Sequence, residues 1–234
     1  MERVRMTQPK NRLQPLDFII IYIGGAFLAG LIQGPLRAAF PFFTDSTAGL
    51  LVSGLWLQDG VMLALLVLCL KSRGARWRDI GARKPAGRGA VLGAALGGFA
   101  LYALMMALVQ LLNVILPGGL APQNVQSYMQ PGDSLFTMIF VIATMGVFVP
   151  LVEEFIFRGY LYHSLCNQIP PRLAMLFCAV IFGAAHLDWQ RFLPLALGGW
   201  LLNVISVRYQ STFASAISHG VWNAVMIVVY YLTL

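Results

Sequence analysis

The sequence predicts an all-α protein, a polytopic bundle of about seven transmembrane helices, with an eighth short segment as an alternative. Three observations support this fold class. Hydrophobic residues make up 59% of the 234 residues and charged residues only 11%, whereas about a quarter of a soluble domain is charged. The mean hydropathy is +0.75. Long apolar runs recur along the chain, and most are near the roughly 20 residues that cross a bilayer as a helix.

The apolar runs define the expected spans in order. They cover residues 16–43, 48–70, 90–116, 134–168, 171–187, 192–207 and 212–234. The first run contains Pro35 and Arg37, which indicate a kink or a break. A basic N-terminus before an apolar run resembles a signal peptide, but this run is longer than a signal core, so we expect an uncleaved first span.

Basic residues orient the predicted helices. Four of the 16 Lys and Arg residues precede Leu16, and seven more lie in the loop 71–88. Because basic loops stay on the cytoplasmic side, we expect the N-terminus and this loop in the cytoplasm. We also expect the membrane to be a bacterial inner membrane. The basic residues that give the net charge of +7 are expected to contact anionic lipid headgroups, and no nucleic-acid partner is expected.

Ionisable side chains inside apolar runs are the candidate functional residues, because such groups are costly in a membrane. In the fourth span, Glu154 and Arg158 are one helical turn apart and are expected to pair. The side chain of Glu153 points about 100° around the helix from that of Glu154, so it does not face Arg158 and is available for another role. His186 ends the fifth span. Both Glu153 and His186 lie roughly 25 Å from the turn between their helices, so they are expected to share a site.

Further candidates lie in other spans. His219 and Asn223 share one face of the last span. His219 lies only roughly 14 Å from the turn before its helix, so its expected depth agrees less well with that of Glu153 and His186. Asp59, in the middle of the second span, is expected to hydrogen-bond a neighbouring helix, with a proton or substrate role as the alternative. Three glycines of the third span are expected to allow close helix approach: Gly93, Gly97 and Gly98.

Three motifs occur in order on late spans: Glu153-Glu154-x-x-x-Arg158, Phe182-x-x-x-His186 and His219-x-x-x-Asn223. They resemble the signature of the CPBP intramembrane proteases, which include the type II CAAX prenyl endopeptidases and Abi-like bacterial proteins tied to bacteriocin handling. The resemblance covers about residue 136 to the C-terminus. It implies an endopeptidase acting on a membrane-associated or prenylated protein or peptide. Residues 1–133 would then form a cytoplasmic tail, three spans and a basic loop, and residues 134–234 the catalytic core, within one structural domain.

The resemblance also implies roles for individual residues. Glu153 would be the general base that activates a water molecule, helped by His186. His219 and Asn223 would polarise the scissile carbonyl or stabilise its oxyanion. These residue types suit the roles, because a carboxylate can accept a proton from water and an amide or imidazole can donate to an oxyanion.

Glu154 and Arg158 would maintain the geometry of the helix. A divalent metal such as zinc is the alternative to metal-free catalysis by glutamate, with Glu153, His186 and His219 as candidate ligands. One glutamate and two histidines form a known catalytic zinc set, although the sequence contains no His-Glu-x-x-His helix.

Three other functions are open to a chain with this polar cluster. The cluster could be a structural network that joins helices. It could be the relay of a proton- or ion-coupled transporter, a class that predicts repeated halves, and the sequence shows no such repeat. It could also belong to a membrane scaffold that keeps the fold and cleaves nothing.

Overall fold

The computed structural model describes residues 13–121, 129–130 and 132–233. The four basic residues before Leu16, on which part of the predicted orientation rests, lie outside this part of the chain. Seven long helices form the described bundle: α1 Ile19–Ala39, α2 Thr47–Ser72, α3 Gly87–Ile115, α4 Leu135–Leu165, α5 Pro171–Ala185, α6 Phe192–Tyr209 and α7 Thr212–Thr233. The predicted all-α class is confirmed, and no strand occurs among these residues.

Six of the seven helices are long and apolar enough to cross a membrane. Helix α5 is the exception. Its 15 residues span about 22 Å, against a hydrocarbon core of about 30 Å. The chain is therefore a polytopic helical membrane protein, and its predicted fifth span is a shorter helix.

The predicted break in the first span is not observed. Helix α1 runs through Pro35 and ends at Ala39, because losing one N–H hydrogen bond to proline is tolerated in membrane helices. A separate helical turn, Phe42–Asp45, follows in the connection to α2. The alternative eighth segment is therefore a short turn in this connection.

Helix α4 lies in the middle of the bundle and contacts α2, α5, α6 and α7. Two π-helical turns, Thr144–Phe148 and Phe155–Leu161, flank its α-helical stretch Val149–Glu154. Pro150 has no N–H to donate to the carbonyl four residues earlier, which accounts for the widened turn before it. All residues of the second π-helical turn are buried. This part of α4 is therefore surrounded by other elements of the protein.

Glycines bring α7 close to both α3 and α4. A Cβ atom at Gly98 of α3 would lie 2.5 Å from the backbone oxygen of Ser218 and 2.7 Å from Cβ of Val221. A Cβ atom at Gly220 would overlap the backbone oxygen of Gly146 in α4. The predicted close helix approach is confirmed at Gly98.

The basic loop between α2 and α3 folds against one end of the bundle. Its 3₁₀ turn, Trp77–Ile80, places the fully buried Ile80 side chain against Gly159 of α4. The carbonyl groups of Ile80 and Gly81 accept hydrogen bonds from the hydroxyl and the N–H of Thr212, where α7 begins. The loop therefore joins α4 to α7.

Candidate active site

A fully buried ion pair lies in α4. Nη1 of Arg158 donates to Oε1 of Glu154 at 2.8 Å, and neither side chain has exposed surface. Nη2 of Arg158 donates to the carbonyl oxygen of Gly199 in α6 at 2.8 Å. The guanidinium carbon lies 4.3 Å from the ring centroid of Phe182 in α5. The predicted pair is confirmed, and it links three helices.

The same ion pair orients His219 of α7. Nδ1 of His219 lies 3.0 Å from Oε1 of Glu154. An ionised carboxylate can only accept a hydrogen bond, so Nδ1 carries the hydrogen and donates it. Nε2 is then the ring nitrogen that faces Glu153, at 3.8 Å from its Oε2. This distance is too long for a hydrogen bond, so the two groups face each other without a direct bond.

Glu153 points away from the buried ion pair, as its position on the helix predicts. Its side chain is 20% exposed, whereas Glu154 and Arg158 are fully buried. Within the described chain, the basic side chain within 4 Å of its carboxylate is that of His219. A carboxylate that is partly accessible and lacks a Lys or Arg partner can accept a proton from water.

His186 lies exposed just after the last residue of α5. Its Nδ1 lies 2.8 Å from the carbonyl oxygen of Phe182, to which it donates. The rings of His186 and Phe182 are 4.7 Å apart, and those of Phe182 and His219 are 5.8 Å apart. His186 and His219 therefore pack against the same aromatic ring. The contacts of the described residues do not join His186 to Glu153 directly.

Asn223 lies one turn after His219 on α7 and is half-buried. Its Nδ2 donates to the carbonyl oxygen of Met145 in the first π-helical turn of α4, at 3.0 Å. A side-chain amide carries two N–H groups, so one remains for another acceptor. His219 and Asn223 therefore both face α4, and each contacts a different part of it.

Helices α1 and α2 add two polar side chains near Glu153. The Tyr22 hydroxyl of α1 donates to the carbonyl oxygen of Ala185 at 3.3 Å, directly before His186. Asp59 of α2 is 4% exposed. Glu153 lies within electrostatic range of both Asp59 and Tyr22, and Asp59 lies within that range of Tyr22.

Asp59 can be recognised in the sequence as a candidate functional residue, whereas Tyr22 cannot. Asp59 stands out as a carboxyl group in an apolar run, but its predicted hydrogen bond to a neighbouring helix is not found for Oδ2, which has no partner among the described residues. Tyr22 was missed, because a tyrosine near the start of a span is typical of the membrane–water interface.

The predicted zinc ligands do not form a metal site in this arrangement. The described residues contain no group of three His, Cys, Asp or Glu side chains placed to hold a metal ion. Nδ1 of His219 is directed at Glu154, and Nδ1 of His186 at a backbone carbonyl, so Nε2 is the nitrogen of each ring that is left for a ligand role. Both histidine rings pack against the ring of Phe182. As placed among the described residues, Glu153, His186 and His219 are therefore not grouped around one metal position.

Comparison with known proteins gives matches in the part of the chain that carries the site. Residues 135–225 match the family model of Rce1-like type II CAAX prenyl endopeptidases. The chain is also 29% identical over 77 residues to UPF0177 protein YxdF of Lactococcus lactis subsp. lactis (strain IL1403). That alignment covers 32% of this chain and 42% of the relative, so the chain spans less than half of the relative's length. No solved structure matches the chain.

Proposed function

Because the resemblance to the type II CAAX prenyl endopeptidases is confirmed over residues 135–225, we propose that this chain is an intramembrane endopeptidase. Its substrate is a membrane-associated or prenylated protein or peptide. The observation that carries the proposal is the partly accessible Glu153 carboxylate, which faces a histidine oriented by a buried ion pair. The distribution of basic residues supports a bacterial inner membrane with the loop 71–88 in the cytoplasm.

In the proposed reaction, Glu153 takes a proton from a water molecule, and the water oxygen bonds to the scissile carbonyl carbon. The proton then passes to the amine nitrogen as the C–N bond breaks. His219 is assigned to the substrate carbonyl: when Nε2 also carries a proton, the ring donates to the developing oxyanion. The free N–H of Asn223 is assigned to the same oxygen, because Asn223 shares a helix face with His219.

His186 is assigned a supporting role toward the water. Its Nδ1 hydrogen is held by the carbonyl oxygen of Phe182, so Nε2 of the neutral ring is an acceptor. An acceptor at this position can receive a hydrogen bond from water that approaches Glu153. Glu154 and Arg158 are assigned to keeping His219 in place.

Replacement of Glu153 tests the proposal. Glu153→Gln removes the base and keeps the shape of the side chain, so cleavage is expected to fall by at least about 100-fold. The measurement is cleavage of a quenched-fluorescent farnesylated CAAX peptide by the purified protein in detergent, together with its thermal melt. The melting temperature is expected to stay unchanged.

The matched control is Asp45→Asn, the same acid-to-amide change at an exposed residue between α1 and α2. It is expected to leave both cleavage and melting unchanged. If Glu153→Gln cleaves as fast as the unmodified chain, the proposed function is wrong.

A further inference from the structure

Asp59 differs from the other buried acidic residues in the described part of the chain. Glu154 pairs with Arg158, and Asp17 pairs with Arg73. Asp59 is similarly buried, but no Lys, Arg or His side chain in the described part of the chain pairs with it, and its Oδ2 atom, like Oε2 of Glu154, has no hydrogen-bond partner there. A buried polar atom without a partner lowers stability by about 1–3 kcal/mol. Unsatisfied groups in native structures therefore require an explanation, such as a catalytic role or an ordered water.

The packing of α1 and α2 places Asp59 toward the candidate active site. A Cβ atom at Gly25 of α1 would lie 2.6 Å from Cγ of Met62, so the two helices are in close contact one turn from Asp59. Helix α2 also packs against α4 at the stretch that contains Glu153. The electrostatic interaction between Asp59 and Glu153 agrees with this placement.

Tyr22 connects this region to His186. Its hydroxyl donates to the carbonyl oxygen of Ala185, and the charges of Glu153 and Asp59 both act on it. Its ring lies 5.4 Å from that of Phe157 in α4. Tyr22 therefore links α1 to the end of α5 and to α4, within electrostatic range of the two carboxyl groups.

We propose that Asp59 is a further catalytic residue, which holds the attacking water together with Glu153. This inference rests on the proposed endopeptidase function. A water molecule placed between two carboxyl groups can donate one hydrogen to an acceptor oxygen of each. Its oxygen lone pairs are then free to attack the scissile carbonyl carbon.

The proton transfers balance in this arrangement. Glu153 takes one hydrogen of the water as the oxygen bonds to the carbonyl carbon. The second hydrogen stays on that oxygen and remains donated to Asp59. The proton on Glu153 then moves to the amine nitrogen as the C–N bond breaks, so Asp59 begins and ends the cycle in the same protonation state.

The test compares Asp59→Leu, Asp59→Asn and Asp17→Asn in the farnesylated peptide assay, with thermal melts. Asp59→Leu is expected to lower kcat by about 100-fold with KM unchanged, because the water loses its orientation. Its melting temperature is expected to equal or exceed that of the unmodified chain, because an unpaired buried polar group is removed. Asp59→Asn keeps an acceptor oxygen, so its kcat is expected to fall less, by about 10-fold.

Asp17→Asn is the control for a structural acid, since it should lower the melting temperature and leave kcat unchanged. A structural role for Asp59 would give the same result in Asp59→Leu, and that result overturns the inference. Full activity in both Asp59 variants, with Glu153→Gln inactive, also overturns it but leaves the proposed function intact. Full activity in Glu153→Gln would contradict both the proposed function and this inference. If Asp59→Leu does not fold, the kcat of Asp59→Asn decides.

Discussion

Arg158 carries a positive charge with no exposed surface, and its contacts join its own helix, α4, to α5 and α6. Its guanidinium group bonds Glu154 and the Gly199 carbonyl and lies over the ring of Phe182. Glu154 in turn receives the hydrogen bond of His219. The position of the His219 ring therefore depends on an arginine that does not touch it.

Removal of Arg158 is expected to destabilise the protein strongly. Arg158→Ala leaves the Glu154 carboxylate buried without its counter-charge, and breaking a buried pair in this way costs about 3–5 kcal/mol. Thermal melts in detergent measure the effect, with Arg172→Ala, at an exposed position at the start of α5, as the control. An unchanged melting temperature for Arg158→Ala would contradict the structural role assigned to the pair.

At the residue scale, the sequence predicts contacts within one helix better than contacts between helices. The pairing of Glu154 with Arg158 follows from their spacing alone and is confirmed. The bond from His219 to Glu154 depends on how α4 and α7 are rotated and how closely they approach, which their separate sequences do not specify. The sequence shows that Asp59 is unusual as a carboxyl group in an apolar run, but it does not show which residues of other helices lie next to it.

The spacing between α3 and α7 is set by small residues. Gly98 lies against the backbone of α7 one residue before His219, at Ser218. The Ser218 hydroxyl donates to the carbonyl oxygen of Ala94, one turn earlier in α3. Contact between backbones and a hydrogen bond across the helices are both typical of membrane helix interfaces.

A single methyl group at this contact is expected to separate the helices. Gly98→Ala places Cβ 2.5 Å from a backbone oxygen, and overpacking of this kind costs about 1–3 kcal/mol. Gly89→Ala is the control in the same helix. It meets no atom within 4 Å and is expected to be neutral or to stabilise the helix by up to about 1 kcal/mol. Melts of the two variants that shift in the same direction would contradict this account.

At the element scale, apolar runs predict that a helix exists more reliably than where it ends. The run that predicts the fifth span continues to Leu187, but α5 ends at Ala185, and Leu187 has a left-handed backbone with φ of 53°. Hydropathy does not report this change in backbone conformation. The π-helical turns of α4 are likewise invisible in composition, although Pro150 marks the site of the first.

At the scale of the whole molecule, one cluster near the start of α1 joins segments that are far apart in sequence. The Asp17 carboxylate accepts two hydrogen bonds from Arg73, after α2, and one from the Tyr160 hydroxyl of α4. The hydrogen bonds from Arg73 hold the pKa of Asp17 below its usual range. The N-terminal helices are thereby attached to the helix that carries Glu153.

This cluster is expected to make stability depend on pH. Because the folded-state pKa of Asp17 is lowered, its contribution is fully present above the unfolded pKa of about 3.9 and is lost as pH falls through the folded-state pKa. Asp17→Asn is therefore expected to melt at a lower temperature than the unmodified chain near pH 7, with the difference vanishing in strong acid. Melts across this pH range measure it. A difference that is constant with pH would contradict the assignment.

The short helix α5 has a consequence for the lipid around the protein. A helix of about 22 Å in a core of about 30 Å creates a hydrophobic mismatch. A bilayer adapts to a short hydrophobic segment by thinning locally. The exposed Leu187 and Trp189 side chains lie beyond the end of this helix, next to His186. The membrane is therefore expected to be thinnest beside the candidate active site, which under the proposed function shortens the path of a lipid-anchored substrate from the headgroups to Glu153.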